Sequence, residues 1–198
     1  MTVPGLLLTG GASRRMGADK ASLVVTGERL AYRSARVLTE VCAPVFEVGP
    51  GHTELDSVRE DPPGGGPLTA IAAGARALRD RGLSGPALVL AVDLPLVTAV
   101  ALAFLRDFPG PDSVVPFVAG QPQPLCARYS AEALERAPEA VARGEDSVRR
   151  FLASLPGVQW VGPRMWGAIA DERTFADVDT PEDLDRLGLR AALDPVEE

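Results

Sequence analysis

Two short, unbroken apolar runs, Val3 to Thr9 and Ala87 to Val92, constrain this chain more than any other feature. Neither alternates polar with apolar residues, so each reads as a parallel strand covered on both faces. Such strands need helices above and below them, and helical patterns lie between the two. Arg29 to Val41 sets Leu30, Ser34, Val37, Leu38 and Val41 along one face, and Pro67 to Arg81 begins with a proline suited to a first helical turn. The spacing predicts further helices over Ala99 to Phe108, Ala131 to Val141 and Ser147 to Leu155. Further strands are expected over Ser113 to Phe117, Gln123 to Tyr129, Val158 to Val161 and Phe175 to Val178. Thr180-Pro181-Glu182-Asp183 opens a last helix reaching about Leu187, with Thr180 as N-cap and Asp183 where a capping box prefers glutamate. Without repeat or linker, the 198 residues predict one domain over 1–190 and a short, frayed acidic tail over 191–198. The expected architecture is a three-layer α/β/α fold with a mostly parallel central sheet.

Charge narrows the range of functions. Twenty lysines and arginines face 27 acids, and a net charge of −7 repels nucleic-acid backbones and anionic membranes. No apolar stretch approaches the roughly 20 residues of a spanning helix, and the N-terminus lacks a basic, cleavable leader, so a cytoplasmic protein is expected. Cys42 and Cys126 stand far apart and His52 is the only histidine, which argues against a disulfide framework or a zinc site. A metal, if present, would be held by oxygen.

Ligands of open α/β sheets bind beyond the carboxyl ends of the strands, which directs attention to the segments after Thr9, Val48 and Val92. After the first strand, Gly10-Gly11-Ala12-Ser13-Arg14-Arg15-Met16-Gly17-Ala18-Asp19-Lys20 combines glycines with a local charge of +2. Glycines let backbone N–H groups approach an anion, so the loop reads as a phosphate cradle or, more plainly, as a basic surface turn. It is not a Walker A loop, because Gly11 and Gly17 are six apart and Lys20 does not follow the second glycine. Asp93 ends the central apolar run before Leu94-Pro95, where its carboxylate either meets a hard cation or caps a turn. Asp61 precedes a glycine-proline loop that leads into a helix N-terminus, a place where an anion is welcome. Asp177 and Asp179 are candidates for a second metal ligand or for solvated acids at a strand end.

These residues resemble a known family. Leu7 to Lys20 is similar to the LAGGxSxRMGxDK loop of molybdenum cofactor guanylyltransferases, and Asp61 with Gly66-Pro67-Leu68-Thr69-Ala70-Ile71 resembles their D…GPLAGI segment. Val92-Asp93-Leu94-Pro95, Gln123-Pro124-Leu125 with Tyr129, and Phe175 to Leu184 resemble three further family segments, in the same order. The resemblance implies a Rossmann-like nucleotidyltransferase domain. It also implies transfer of GMP from GTP to the phosphate of molybdenum-molybdopterin, with Mg²⁺ as cofactor and pyrophosphate released. It places Leu8, Thr9, Gly10 and Gly11 at the nucleotide, Lys20 and Arg15 on phosphates, Asp61 on the nucleoside, and Asp93 on both nucleotide and Mg²⁺. Arg14 is expected in solvent. Since the attacking group is already an anionic phosphate, catalysis would be charge neutralisation and in-line positioning. Possible delivery partners, molybdoenzymes or their chaperones, leave no motif. Gln123-Pro124 is the candidate pterin contact, or else a strand opening at a sheet edge.

The chain departs from the family at three places. Thr9 replaces an alanine, Asp177 and Asp179 replace asparagines, and Phe46-Glu47-Val48-Gly49-Pro50 lacks the asparagine that follows the second strand. Two alternatives stand beside the guanylyltransferase: a cytidylyltransferase or other small-molecule nucleotidyltransferase of the same fold, and a non-catalytic nucleotide-binding protein. Gly10-Gly11 follows the guanine pattern, where the LAAGxSxRMG loop of cytidylyltransferases has alanine then glycine.

Overall fold

The computed structural model describes residues 2–10, 19–60, 63–189 and 191–193. At its centre β1 (Gly5–Leu8) lies between β4 (Val45–Val48) and β6 (Ala87–Ala91), parallel to both. Its apolar run has no alternation because both faces are roofed. Leu6 and Leu8 enter the core beneath α2 (Pro67–Asp80), α4 (Ala131–Ala142) and α5 (Val148–Ala153). Leu7 points the other way, into the core beneath α1 (Leu30–Thr39) and α3 (Ala99–Asp107). The expected three layers and the mostly parallel centre are present.

Beyond β4 the sheet continues in parallel with β5 (Asp56–Val58). On the far side β6 pairs antiparallel with β9 (Cys126–Tyr129), and β9 pairs antiparallel with β7 (Ser113–Val118). β10 (Val158–Val161) runs parallel to β7 at the edge, and β8 (Gln121–Pro122) folds back on β7. The strand expected from Gln123 starts only at Cys126. Pro122 and Pro124 have no N–H to give a ladder, and the chain turns instead, with Gln123 N donating to Pro116 O at 2.8 Å.

α2 packs close to the sheet through Gly74. A Cβ there would lie 2.6 Å from Leu6 Cδ1, so no larger residue fits without moving the helix. Arg128, a β9 side chain only 5% exposed, donates to the carbonyls of Arg106, Phe108, Gly110 and Asp112 and so ties down the α3–β7 connection.

A second, small sheet was not foreseen. β2 (Leu23–Val25) and β3 (Glu28–Arg29) form a hairpin through Thr26-Gly27, whose φ values of 54° and 86° suit a tight two-residue turn. β11 (Ala191–Leu193) pairs antiparallel with β2, so the start of the stretch expected as a tail is a strand in this sheet. The strand expected over Phe175 to Val178 is absent. Asp171 caps a 3-10 turn over Glu172–Phe175 with a capping box, and the extended chain after it pairs with no strand. Short α6 (Pro163–Trp166) precedes it, with Trp166 edge-on to Phe175 at 5.3 Å between ring centroids. The last helix, α7 (Pro181–Arg186), has the expected Thr180 cap, and Asp183 completes a capping box with the shorter acid. No helix among the described residues is long and apolar enough to cross a membrane.

Candidate active site

The carboxyl ends of β1, β4 and β6 open onto one rim, and two acidic segments converge there on Lys20. Lys20 begins a 3-10 turn, Lys20–Ser22, whose cap is Asp19, accepting from Ala21 N at 3.0 Å. Its Nζ lies 3.4 Å from Asp93 Oδ2, the carboxylate just past β6, and donates also to Asp179 Oδ1. These residues are 73 and 159 positions away in sequence, and two hydrogen bonds explain how they meet. Val178 N donates to Asp93 O at 2.9 Å, which lays the segment 177–179 against the strand end. Asp179 N then donates to Asp183 Oδ2 at 3.0 Å, so the cap that starts α7 also holds Asp179 in place.

Charge within the cluster is unevenly balanced. Burial alone would lower the Lys20 ammonium, but the Asp179 hydrogen bond and the charges of Asp93 and Asp179 outweigh it and hold Lys20 above its ordinary value. Lys20 is therefore a cation throughout the physiological range. Burial pushes the Asp93 carboxyl up; Lys20 opposes that, while Asp177 and Asp179 add to it. An aspartate in this position gains from further positive charge.

Asp93 and Asp177 line the same cavity, about 280 Å³, together with Pro67 at the start of α2 and Gln123-Pro124-Leu125. Among the described residues no three His, Cys, Asp or Glu side chains surround one point as a complete metal cage would. Two carboxylates facing a cavity suit a hard divalent ion that takes its remaining ligands from phosphate oxygens and water. The aspartate pair fits magnesium in that sense, and no described sulfur or imidazole competes for the site.

A different construction holds the β4 side of the rim. Glu47, fully buried on β4, accepts five hydrogen bonds. Thr9 Oγ1 donates at 2.6 Å, Gly51 N at 2.9 Å, His52 N at 2.6 Å, and Thr53 N and Oγ1 at 2.8 and 2.6 Å. Burial by itself would raise the Glu47 carboxyl, yet these donors more than compensate and hold it below the usual carboxylate value. The same turn reaches the Lys20 segment, since His52 Nε2 lies 3.0 Å from Asp19 Oδ2. Thr9, before the glycine-rich loop, is thus anchored to the β4 turn, and Asp19, after it, lies against the same turn. A Cβ on Gly49 would collide with Thr9 Oγ1 and come within 2.9 Å of Gly10 N, so this turn sits tight against the end of β1.

Next to it, Gly10, Gly49, Pro50, Arg59, Glu60 and Gly64 border a cavity of about 140 Å³. Glu60 Oε2 accepts from Gly64 N at 3.1 Å, its carboxyl is raised by burial, and a Cβ on Gly10 would sit 2.5 Å from Glu60 Oε1. Only glycine lets that carboxylate lie over the end of β1.

The structure thus brings together Lys20, Asp93, Asp177 and Asp179, and sets Gly10 at a neighbouring cavity. Thr9 is at the rim, but its hydroxyl is turned inward to Glu47. Leu8 lies in the core with 4% exposure, and its carbonyl accepts from Val92 N at 3.1 Å. Gly11, Arg14, Arg15 and Asp61 lie outside the described residues. Glu47 and Glu60 were missed from sequence. The signals were a lone acid inside the apolar run Val45-Phe46-Glu47-Val48 and a threonine where the resembled LAGG motif has alanine.

Comparison with known proteins places the chain in a family. Residues 5–159 match the family model of the MobA-like NTP transferase domain. The chain belongs to that family. A probable molybdenum cofactor guanylyltransferase of Opitutus terrae is 38% identical over 191 residues, spanning 92% of this chain and 93% of the relative. Membership makes the chain an enzyme, a nucleotidyltransferase. The crystal structure of molybdopterin-guanine dinucleotide biosynthesis protein A from Archaeoglobus fulgidus superposes with a TM-score of 0.76 at 23% identity, covering 93% of this chain and 96% of that one. 2-C-methyl-D-erythritol 4-phosphate cytidylyltransferase of Thermus thermophilus shares the fold too, with a TM-score of 0.63 at 21% identity, covering 94% of this chain and 97% of that one. Since both solved structures share this fold, the fold alone does not choose the nucleobase.

Proposed function

We propose that this chain transfers GMP from GTP to the terminal phosphate of molybdenum-loaded molybdopterin. An oxygen of the acceptor phosphate attacks the α-phosphorus of GTP, the bond to the β-phosphate breaks, and pyrophosphate leaves. The observation that carries this reading is Lys20 held between Asp93 and Asp179 at the rim of the sheet. Two polyanions must meet, and a lysine kept protonated by carboxylates on either side offers positive charge without a proton transfer. Asp93 and Asp177 would hold magnesium; when bound, the ion neutralises phosphate charge and fixes the orientation of the triphosphate. Lys20 then grips phosphate oxygens, and Asp179, itself fixed by the α7 cap, holds the ammonium in position. Gly11 and Arg15 at the phosphates and Asp61 at the nucleoside complete the assignment on the family resemblance.

Guanine is favoured by the Glu60 cavity. Guanine presents two neighbouring donors, N1–H and the 2-amino group, to a partner on that edge. Cytosine and adenine present a donor beside an acceptor. A carboxylate only accepts, so Glu60 fits guanine and repels the others' ring nitrogen lone pair. The name carried by the Opitutus relative points the same way. Incubating the purified protein with each nucleoside triphosphate, Mg²⁺ and molybdenum-loaded molybdopterin tests the assignment. GMP incorporation is expected, with Glu60→Gln eroding the preference over CTP; preferential CMP incorporation by the unaltered chain overturns it.

A further inference from the structure

Two of this chain's departures from the family pattern touch each other. Thr9 stands where the resembled loop has alanine, Glu47 lies in the segment that lacks the asparagine, and Thr9 Oγ1 donates to Glu47 Oε1 at 2.6 Å. Glu47 is fully buried, so it meets no ligand itself. Its two oxygens instead gather the β4 turn: Gly51 N and His52 N donate to Oε1, and Thr53 N and Oγ1 donate to Oε2. A carboxylate only accepts, and an amide in its place would bring donors to face these donors. The backbone alongside is tied in the same sense. Thr9 N and Gly10 N donate to Val48 O at 3.1 and 3.4 Å, and Gly49 N donates to Val58 O at 2.9 Å.

The parts so fixed belong to the nucleotide side of the rim. Gly10, Gly49 and Pro50 border the cavity that Glu60 faces. On the other flank of the turn the His52 imidazole lies against Asp19 Oδ2, while Asp19 Oδ1 caps the short turn that Lys20 begins. One buried acid therefore stands behind the wall of that cavity and behind the residue that supports the Lys20 turn. The carboxylates of the reaction centre, Asp93, Asp177 and Asp179, come from other elements.

We propose that Glu47 and Thr9 are positioning residues for the donor nucleotide: their hydrogen bond clamps the β4 turn to the end of β1 and sets the cavity wall before the nucleotide arrives. The proposal rests on the GTP reading above. A pocket whose walls are already in place gives up less conformational freedom on binding, so the gain appears as donor affinity. Buried charge-assisted bonds suit that task, because they hold whether or not the cleft is filled. Acceptor affinity is left alone, since none of the clamped groups lines the cavity of Asp93 and Asp177.

Calorimetric titration of the full chain with Mg²⁺ and a GTP analogue carrying a methylene bridge between its α- and β-phosphates reads donor affinity without turnover. Each variant is measured where its urea unfolding curve shows the native baseline, so lost stability does not enter. Thr9→Val keeps the shape and removes the hydroxyl; its Kd for the analogue rises roughly tenfold, and Thr9→Ser, which keeps the hydroxyl, restores most of the loss. Glu47→Gln raises the Kd at least as far. In the GMP-transfer assay the KM for molybdenum-loaded molybdopterin stays put in all three. If Thr9→Val binds the analogue like the unaltered chain, or if donor Kd and acceptor KM rise together, the network only stabilises the fold and the proposal falls. A loss that Thr9→Ser does not reverse overturns it as well, since the hydroxyl is then not what acts. An unaltered chain that binds the analogue yet transfers no GMP removes the function proposed above, and the binding series still decides the clamp by itself.

Discussion

On the β4 side of the cleft a turn hangs from one buried carboxylate through five hydrogen bonds, while on the β7–β10 side half-exposed rings and an arginine on a short helix border an open groove. A buried network of charge-assisted bonds is rigid, and every member suffers if one is lost. Exposed aromatic rings give contact area without fixing the backbone around them. The β4 side is built to hold one geometry, and the β7–β10 side can change its lining without disturbing the sheet. Lys20, Asp93 and Asp179 stand at the seam, where Val178 N on Asp93 O joins the two halves.

Removing the seam should have the largest effect. Asp93→Ala lowers kcat on the order of 10³-fold and Lys20→Ala on the order of 10²-fold, read in the GMP-transfer assay with GTP and acceptor saturating. Near-normal turnover in both would dissolve the distinction between the sides, since nothing would then join them. Glu47→Ala comes next. It strands the Thr9 and Thr53 hydroxyls and three backbone N–H groups, and a loss of about 3 kcal/mol is expected from urea unfolding. The acid limb of stability supplies the sign. Folded Glu47 binds its proton less readily than the unfolded side chain at 4.5, so its contribution is whole above that pH and is lost as pH falls through the lower folded value. Glu47→Gln should flatten that fall in an unfolding series taken between pH 6 and pH 3. Thr9→Ala removes one donor of five, and about 1 kcal/mol is expected. Smallest of all, Phe117→Ser should change the unfolding free energy by less than about 0.5 kcal/mol, because the ring is not part of the packed core. A larger loss there would mean the β7–β10 side shares the packing load like its counterpart.

The same contrast explains what the sequence revealed. Val3 to Thr9 and Ala87 to Val92 are legible as central strands because burial on both faces leaves no polar position in them. The glycine-rich run, Asp93 and the Thr180 cap are legible because each depends on local chemistry: a backbone needing small residues, a polar end to an apolar strand, a side chain reaching its own helix. Glu47 is hidden because its partner Thr9 lies 38 residues earlier, and an isolated acid in a strand looks like a solvated one. Asp179 looked like a metal ligand or a solvated acid, and only the fold hands it to Lys20. The β2–β3–β11 sheet escaped notice because its strands are two and three residues long and the third pairs from the far end of the chain. The antiparallel direction of β9 was equally unreadable, since a strand's residue pattern carries no sign of direction.

The tie between Val178 and Asp93 reaches into how this enzyme can be trimmed or inherited. The family match ends at residue 159, yet Asp179, which with Asp93 grips Lys20, and Asp177, which with Asp93 faces the cavity, both lie beyond it. A shortened protein ending at that boundary would keep most of the sheet and lose the Asp179 contact to the lysine. The closing twenty residues of the described chain are machinery, and a graft of this domain that leaves them behind would bring the nucleotide shelf without the jaw that closes on it.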